Sequence, residues 1–143
     1  YCPDSNFFLK SGEFPYRDIS LHGIDIGIGS DVAAGTTPNM LYHAKMANFR
    51  QSAHPLLPAR LIWHLTQGNA ALLGLEDRIG SLERGKEADF ILLNLPKPLD
   101  GENDLASELC FCGHEYQLRE TVIAGRTVFL SSGLSSPRHH GLT

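Results

Sequence analysis

The chain has 143 residues, 42% apolar and 20% charged, a composition that suits a soluble globular protein of one domain or pieces of two. A formal net charge of −4, with seven histidines counted neutral, argues against nucleic acid as a partner. No apolar stretch nears the roughly 20 residues a membrane span needs, and no basic start leads into an apolar segment as a signal peptide would.

Tyr1 stands first, followed at once by Cys2-Pro3, so the sequence reads as one cut from something longer. Cys2 to Asn6 is turn-rich and runs into Phe7-Phe8-Leu9, after which Gly12 and Pro15 punctuate an irregular stretch. Residues 17–21 read as a brief helix ending near His22-Gly23. Ile24 to Gly29 alternates β-branched residues with small or polar ones and predicts a strand. It stops at Ser30-Asp31 and enters a small-residue loop, Val32 to Gly35. Thr37 suits an N-cap and Pro38 a first helical position, and Met40, Leu41, Ala44 and Ala47 fall on one face of the helix that follows. A second helix is expected from Pro58, with Leu61, Ile62, Leu65, Leu72 and Leu73 at helical spacing and Gly74 as its stop. Gly68 shares the side of Leu61, Leu65 and Leu72, which predicts a close approach to a neighbouring element.

Beyond Gly74 the character changes. Asp77 to Lys86 is a turn-rich connector, Ala88 to Leu95 a strand, and residues 96–109 a polar loop with at most a helical turn. Glu120 to Ala124 and Arg126 to Leu130 predict a hairpin about Ala124-Gly125. The tail from Ser131, with Pro137, His139 and His140, reads as poorly ordered. A strand followed by helices suits an α/β unit, whereas the later hairpin needs an all-β partner, so two part-domains meet near residue 75. Cys2, Cys110 and Cys112 form no Cys-x-x-Cys pair, which excludes a zinc ribbon and suits reduced thiols in a cytoplasmic protein.

Asp31 is the most informative side chain. An acid at the C-terminal end of a buried strand, followed by a small-residue loop, matches where barrel enzymes place catalytic groups. The plainer alternative is an aspartate whose carboxylate closes a turn on nearby backbone. A dinucleotide site about Gly27-Ile28-Gly29 fails, because the third glycine would fall at Val32 and the helix begins too late to receive a pyrophosphate. Gly80 to Phe90 is, locally, a connector feeding a strand.

Four segments occur in a telling order: Cys2-Pro3-x-Ser5-Asn6, Gly29-Ser30-Asp31-Val32-x-x-Gly35, Ala70-x-x-Leu73-Gly74-Leu75 and Ile79-Gly80-x-Leu82-x-x-Gly85-Lys86-x-Ala88-Asp89. Together they resemble the C-terminal half of the amidohydrolase superfamily, over residues 1 to about 95. The Gly-Lys-x-Ala-Asp segment marks the superfamily only. Cys-Pro-x-Ser-Asn combined with Asp-Val-x-x-Gly is narrower and is similar to the guanine deaminases; chlorohydrolases and adenosine-type deaminases usually carry other residues after the aspartate. Glu120 to Val128 resembles the family's closing hairpin with little specificity. One departure is Tyr1, where the family commonly has His before Cys-Pro.

The resemblance implies an α/β fold, the C-terminal part of a (β/α)8 barrel joined to a small β-sandwich. Residues 1–75 would end the barrel, with 1–9 giving its seventh strand and loop and 24–31 its eighth; 76–131 would be the C-terminal share of the sandwich and 132–143 a flexible tail. It implies that Asp31 is both a zinc ligand and the catalytic carboxylate that handles protons, in a homodimeric, cytoplasmic enzyme that hydrolyses guanine to xanthine and ammonia. Catalytic zinc uses about three protein ligands, and the family's His-x-His pair is absent here. His22, His43, His54, His64 and His114 are scattered and read as surface or helix residues. The remaining ligands and the substrate-binding residues are therefore expected upstream of Tyr1, and this chain alone is expected to be inactive. Alternatives are another amidohydrolase, acting on an aminated heterocycle or chlorohydrolase-like, or a free-standing non-catalytic module. The zinc deaminases built on His-x-Glu and Pro-Cys-x-x-Cys are excluded, since neither pattern occurs.

Overall fold

In the computed structural model, residues 1–95 and 102–132 are described, 102–104 by backbone only. Helices α1 (Pro3–Phe8), α2 (Tyr16–Leu21), α3 (Met40–Arg50), α4 (Pro58–Trp63), α5 (Asn69–Leu72) and α6 (Glu102–Phe111) accompany strands β1 (Phe90–Leu93), β2 (Leu118–Ile123) and β3 (Arg126–Leu130). A π turn, His64–Gly68, joins α4 to α5, and a 3-10 turn, Gly113–Glu115, follows α6.

The turn-rich start is helical: Pro3 holds a first-turn position of α1, where its missing N–H costs nothing. Helix α3 opens two residues later than the sequence predicts. The Asn39 side chain caps it, accepting from Leu41 N at 3.1 Å, while Thr37 Oγ1 accepts from Asn39 N at 3.2 Å and closes the preceding turn. Helix α4, the π turn and α5 form one rod, begun at Pro58. It ends as expected at Gly74, where Gly74 N donates to Ala71 O and Leu75 N to Ala70 O, the paired bonds of a Schellman stop. The close approach predicted at Gly68 is to Trp63 of the same rod rather than to another element: a Cβ there would stand 2.6 Å from the indole.

The core joins these elements. Ile28, Ala44, Ala47, Leu61 and Cys110 are buried together, with Tyr1, Met40, Leu56, Leu65 and Phe111 packed around them. Cys110 comes from α6, which lies across α3 and α4. Residues 102–109, read from the sequence as polar loop, are thus helical, because Cys110 completes a core contributed mainly by distant residues; residues 96–101 lie outside the described set, as do 133–143 of the expected tail.

Segment 24–29 is extended but, among the described residues, joins no named strand. A strand is defined by its ladder, and here the ladder is one rung. Tyr1 N donates to Gly27 O at 2.8 Å and Gly29 N donates to Tyr1 O at 2.9 Å, the pattern of a parallel pair.

The named strands form one antiparallel sheet in the order β1-β2-β3, with Phe90 opposite Val122 and Glu120 opposite Leu130. The hairpin turns on Ala124 and Gly125, both with positive φ (48° and 72°), as a two-residue type I′ turn requires. Asp89 Oδ1 accepts from Ala124 N at 2.7 Å and ties the start of β1 to that turn. Ile91, Ile123, Val128, Phe129 and Leu130 are exposed on this sheet.

Candidate active site

The extended segment delivers Asp31 to the end of its run, beyond buried Ile26 and Ile28. The backbone then reverses. Asp31 has φ 47°, a left-handed conformation that aspartate tolerates better than most residues, and its carbonyl accepts from Ala34 N at 3.0 Å and Gly35 N at 2.6 Å. Gly35 is required, because a Cβ there would overlap the Ser30 carbonyl oxygen. The turn is therefore closed by the Asp31 backbone and not by its side chain. The side chain is exposed, and among the described residues its carboxylate has no hydrogen-bond or ion-pair partner. The plainer reading of Asp31, a carboxylate spent on capping a turn, does not describe this geometry.

Two side chains that sequence reasoning missed hold this segment. Asp4, 3% exposed, accepts through Oδ2 from Thr36 N at 2.5 Å and from Thr36 Oγ1 at 2.6 Å, fastening the far side of the Asp31 loop to α1. Asn69 accepts from Ile28 N at 3.1 Å and donates to Ile28 O at 2.8 Å. Asp4 occupies the variable position of Cys-Pro-x-Ser-Asn, and Asn69 begins a helix, so neither position signalled its partner.

The histidines lie elsewhere. His43 Nε2 donates to Thr37 O at 2.7 Å, His22 Nδ1 to Asp18 O at 2.7 Å, and Arg17 donates to His54 Nε2 at 2.7 Å. His64 bonds the Tyr16 hydroxyl through Nε2 at 2.6 Å. Burial, with Arg60 adding to it, holds the His64 pKa below the ordinary imidazole value, so it is neutral at pH 7. His114 lies near Glu115 and Lys45. His139 and His140 fall outside the described residues. Among the described residues no three His, Cys, Asp or Glu side chains are grouped closely enough to hold a metal ion. Cys2, Cys110 and Cys112 are free thiols, and burial pushes Cys110 up to about 11. Tyr1 stacks on Phe14 with ring centres 4.6 Å apart, which turns its aromatic ring into the packing of the chain.

The sequence profile of the amidohydrolase family matches residues 1–128. A 5-methylthioadenosine/S-adenosylhomocysteine deaminase of Desulforudis audaxviator is 38% identical over 130 residues, covering 87% of this chain and 28% of the relative. Guanine deaminase of Escherichia coli is 32% identical over 140 residues, covering 90% of this chain and 32% of its own. The solved structure of E. coli guanine deaminase superposes with a TM-score of 0.81 over 92% of this chain and 33% of that one, at 29% identity. An adenosine deaminase from Xanthomonas campestris, solved with bound zinc, superposes at 0.79 over 96% and 33%, at 28% identity. The chain thus spans about a third of the length of the relatives it matches. Ordered motifs, a profile match over most of its length and close superposition on solved members together make this chain a member of the amidohydrolase family.

Proposed function

We propose that this chain is the C-terminal portion of a zinc-dependent hydrolytic deaminase that converts guanine to xanthine and ammonia, with Asp31 as a metal ligand and as the proton-handling carboxylate. The observation that carries the reading is the exposed Asp31 carboxylate, without a partner among the described residues, at the end of the Ile24–Gly29 run and within a Gly-Ser-Asp-Val-x-x-Gly segment. Guanine is favoured by that segment occurring together with Cys-Pro-x-Ser-Asn. A second reading, deamination of a 5-methylthioadenosine-like nucleoside, is favoured by the 38% identity to the relative with that activity.

In this account residues 1–75 close a (β/α)8 barrel, 76–131 belong to a small β-sandwich and 132–143 are a tail. Tyr1 and residues 24–31 lie on the seventh and eighth strands, a placement supported by the parallel rung between Tyr1 and Ile28. The enzyme is a cytoplasmic homodimer; among the described residues no helix is long and apolar enough to cross a membrane.

The donor set tests the fit of zinc. A free carboxylate is a suitable ligand, and Asp31 supplies one of the roughly three protein ligands that catalytic zinc takes. The others lie outside the residues described here. Bound zinc supplies acidity, bringing the pKa of a water down to about 7. Asp31 would accept the proton released as water attacks the ring carbon bearing the amine. Its left-handed backbone, fixed by two N–H bonds to its own carbonyl, leaves both carboxylate oxygens for these tasks. Asp31 passes that proton to the departing amine, which leaves as ammonia, while an acid elsewhere in the polypeptide protonates the ring nitrogen and regains a proton from the new hydroxyl as it becomes the carbonyl.

The test uses the complete polypeptide containing this chain, assayed with guanine and with 5-methylthioadenosine. Guanine turnover together with zinc is expected, and both are lost in Asp31→Ala. Turnover of the nucleoside alone would replace the first reading by the second.

A further inference from the structure

We infer that Asp4 and His43 are positioning residues for Asp31, two enclosed side chains that hold the far end of its loop and so fix where its carboxylate points. The inference rests on the reading of Asp31 as a metal ligand.

The loop is strained. Asp31 and Ala33 both have positive φ, 47° and 89°, and neither is glycine. Such conformations persist only where the surrounding structure over-determines them. The bonds from Ala34 N and Gly35 N to Asp31 O close the reversal on itself. They tie the turn only to its own first residue and fix nothing about its direction.

Two contacts from helices supply that direction. Asp4 Oδ2 accepts from Thr36 N at 2.5 Å and from Thr36 Oγ1 at 2.6 Å, so one oxygen grips both the backbone and the side chain of one residue. His43 Nε2 donates to Thr37 O at 2.7 Å; a carbonyl only accepts, which places the imidazole proton on Nε2. Asp4 is 3% exposed and His43 0%, and packing of this kind locks the rotamers of supporting side chains. Thr36 and Thr37 follow directly on the turn that ends at Gly35. The loop is therefore fixed on one side by the segment carrying Asp31 and on the other by α1 and α3.

Both anchors fit a closed barrel. Helix α1 follows Tyr1 and α3 follows the Asp31 loop, and the rung from Tyr1 to Gly27 and Gly29 makes the two parent segments neighbours. Every partner in these contacts lies on this chain and both anchors are already enclosed, so further polypeptide covers the loop without replacing either bond. Ligating carboxylates depend on such support, and loss of an outer-shell partner typically costs roughly 10- to 100-fold in metal affinity or activity.

The experiment uses the complete zinc-loaded polypeptide and compares Asp4→Ala, His43→Leu, Thr36→Val, Thr36→Ser, Leu61→Ala and Asp31→Ala. Zinc affinity is read by competition with a chromophoric chelator, and catalysis as separate kcat and KM. Asp4→Ala and His43→Leu are each expected to bind zinc roughly 10- to 100-fold more weakly and to lose kcat with KM little changed. Thr36→Val breaks the hydroxyl bond and should lower both by less, whereas Thr36→Ser keeps both donors and should match the wild type. Thr36 is exposed, so this pair carries the test if a variant at a buried anchor does not fold; valine and serine variants that behave alike would then overturn the inference. Leu61→Ala, destabilised through a core side chain that bonds nothing in the loop, should keep wild-type zinc affinity and kcat while folded. Unchanged zinc affinity and kcat in folded Asp4 and His43 variants, or equal losses in Leu61→Ala, would overturn the inference and leave the reading of Asp31 standing. Retention of zinc and turnover by Asp31→Ala would instead overturn that reading.

Discussion

Replacing Asp4 by alanine tests whether the Asp31 loop is held from its far side. One buried carboxylate oxygen receives both the N–H and the hydroxyl of Thr36, at 2.5 and 2.6 Å. A hydrogen bond to a charged group contributes about 1.5–3 kcal/mol. Thr36 is itself exposed, so water recovers part of the loss once Asp4 is gone, and a total of about 2–3 kcal/mol follows. Because the loss is local, it should appear in local opening more than in global unfolding. At about 1.4 kcal/mol per factor of ten, the Thr36 amide should exchange about 30- to 140-fold faster in Asp4→Ala. Thr36→Val removes only the hydroxyl bond and should give a smaller acceleration in the neighbouring amides of Ala34 and Gly35. Native-state hydrogen exchange resolved by residue reads both. A Thr36 amide that exchanges at the wild-type rate in Asp4→Ala would refute the argument, since the carboxylate would then carry none of the loop's local stability.

Gly35→Ala should abolish the reversal after Asp31, because the new methyl meets the Ser30 carbonyl; soluble yield and circular dichroism would show a misfolded or strongly destabilised protein. Stability should fall as pH drops below about 6.5 and on through the depressed folded pKa of His64, because the unfolded chain binds a proton there that the folded chain refuses. Urea midpoints at pH 7.5 and 5.5 should differ less in His64→Gln than in the wild type; an equal difference would remove His64 as a cause. Iodoacetamide at pH 8 should label the half-buried Cys2 and Cys112 well before Cys110, whose thiol is held up to about 11, and peptide mass mapping would reveal a reversed order.

What could be read from the sequence was what neighbouring residues decide. The Gly74 stop and the Ala124-Gly125 hairpin are settled within a few residues, and both stand where the sequence placed them. The run Ile24–Gly29, expected as a strand from its alternation, joins no named strand among the described residues, because its one rung is to Tyr1 and its other side bonds the Asn69 side chain, which local patterning does not see. Helix α6 went unread because half of its residues, Glu102, Asn103, Asp104, Ser107 and Glu108, are polar, while the contact that holds it, Cys110 in the core, is made with α3 and α4. The cap of α3 passed from Thr37 to Asn39, since both residues are good caps and the turn before the helix decided between them. Asp31 was singled out through its motif. Asp4 and Asn69 were not, because each earns its role from backbone 32 and 41 residues away.

The most direct measurement is zinc content and guanine turnover of the complete polypeptide, wild type beside Asp31→Asn, which removes the charge at nearly constant shape. The account predicts stoichiometric zinc and xanthine formation in the wild type, with weakened zinc and no turnover in the variant. A variant that keeps its metal and still forms xanthine would contradict it.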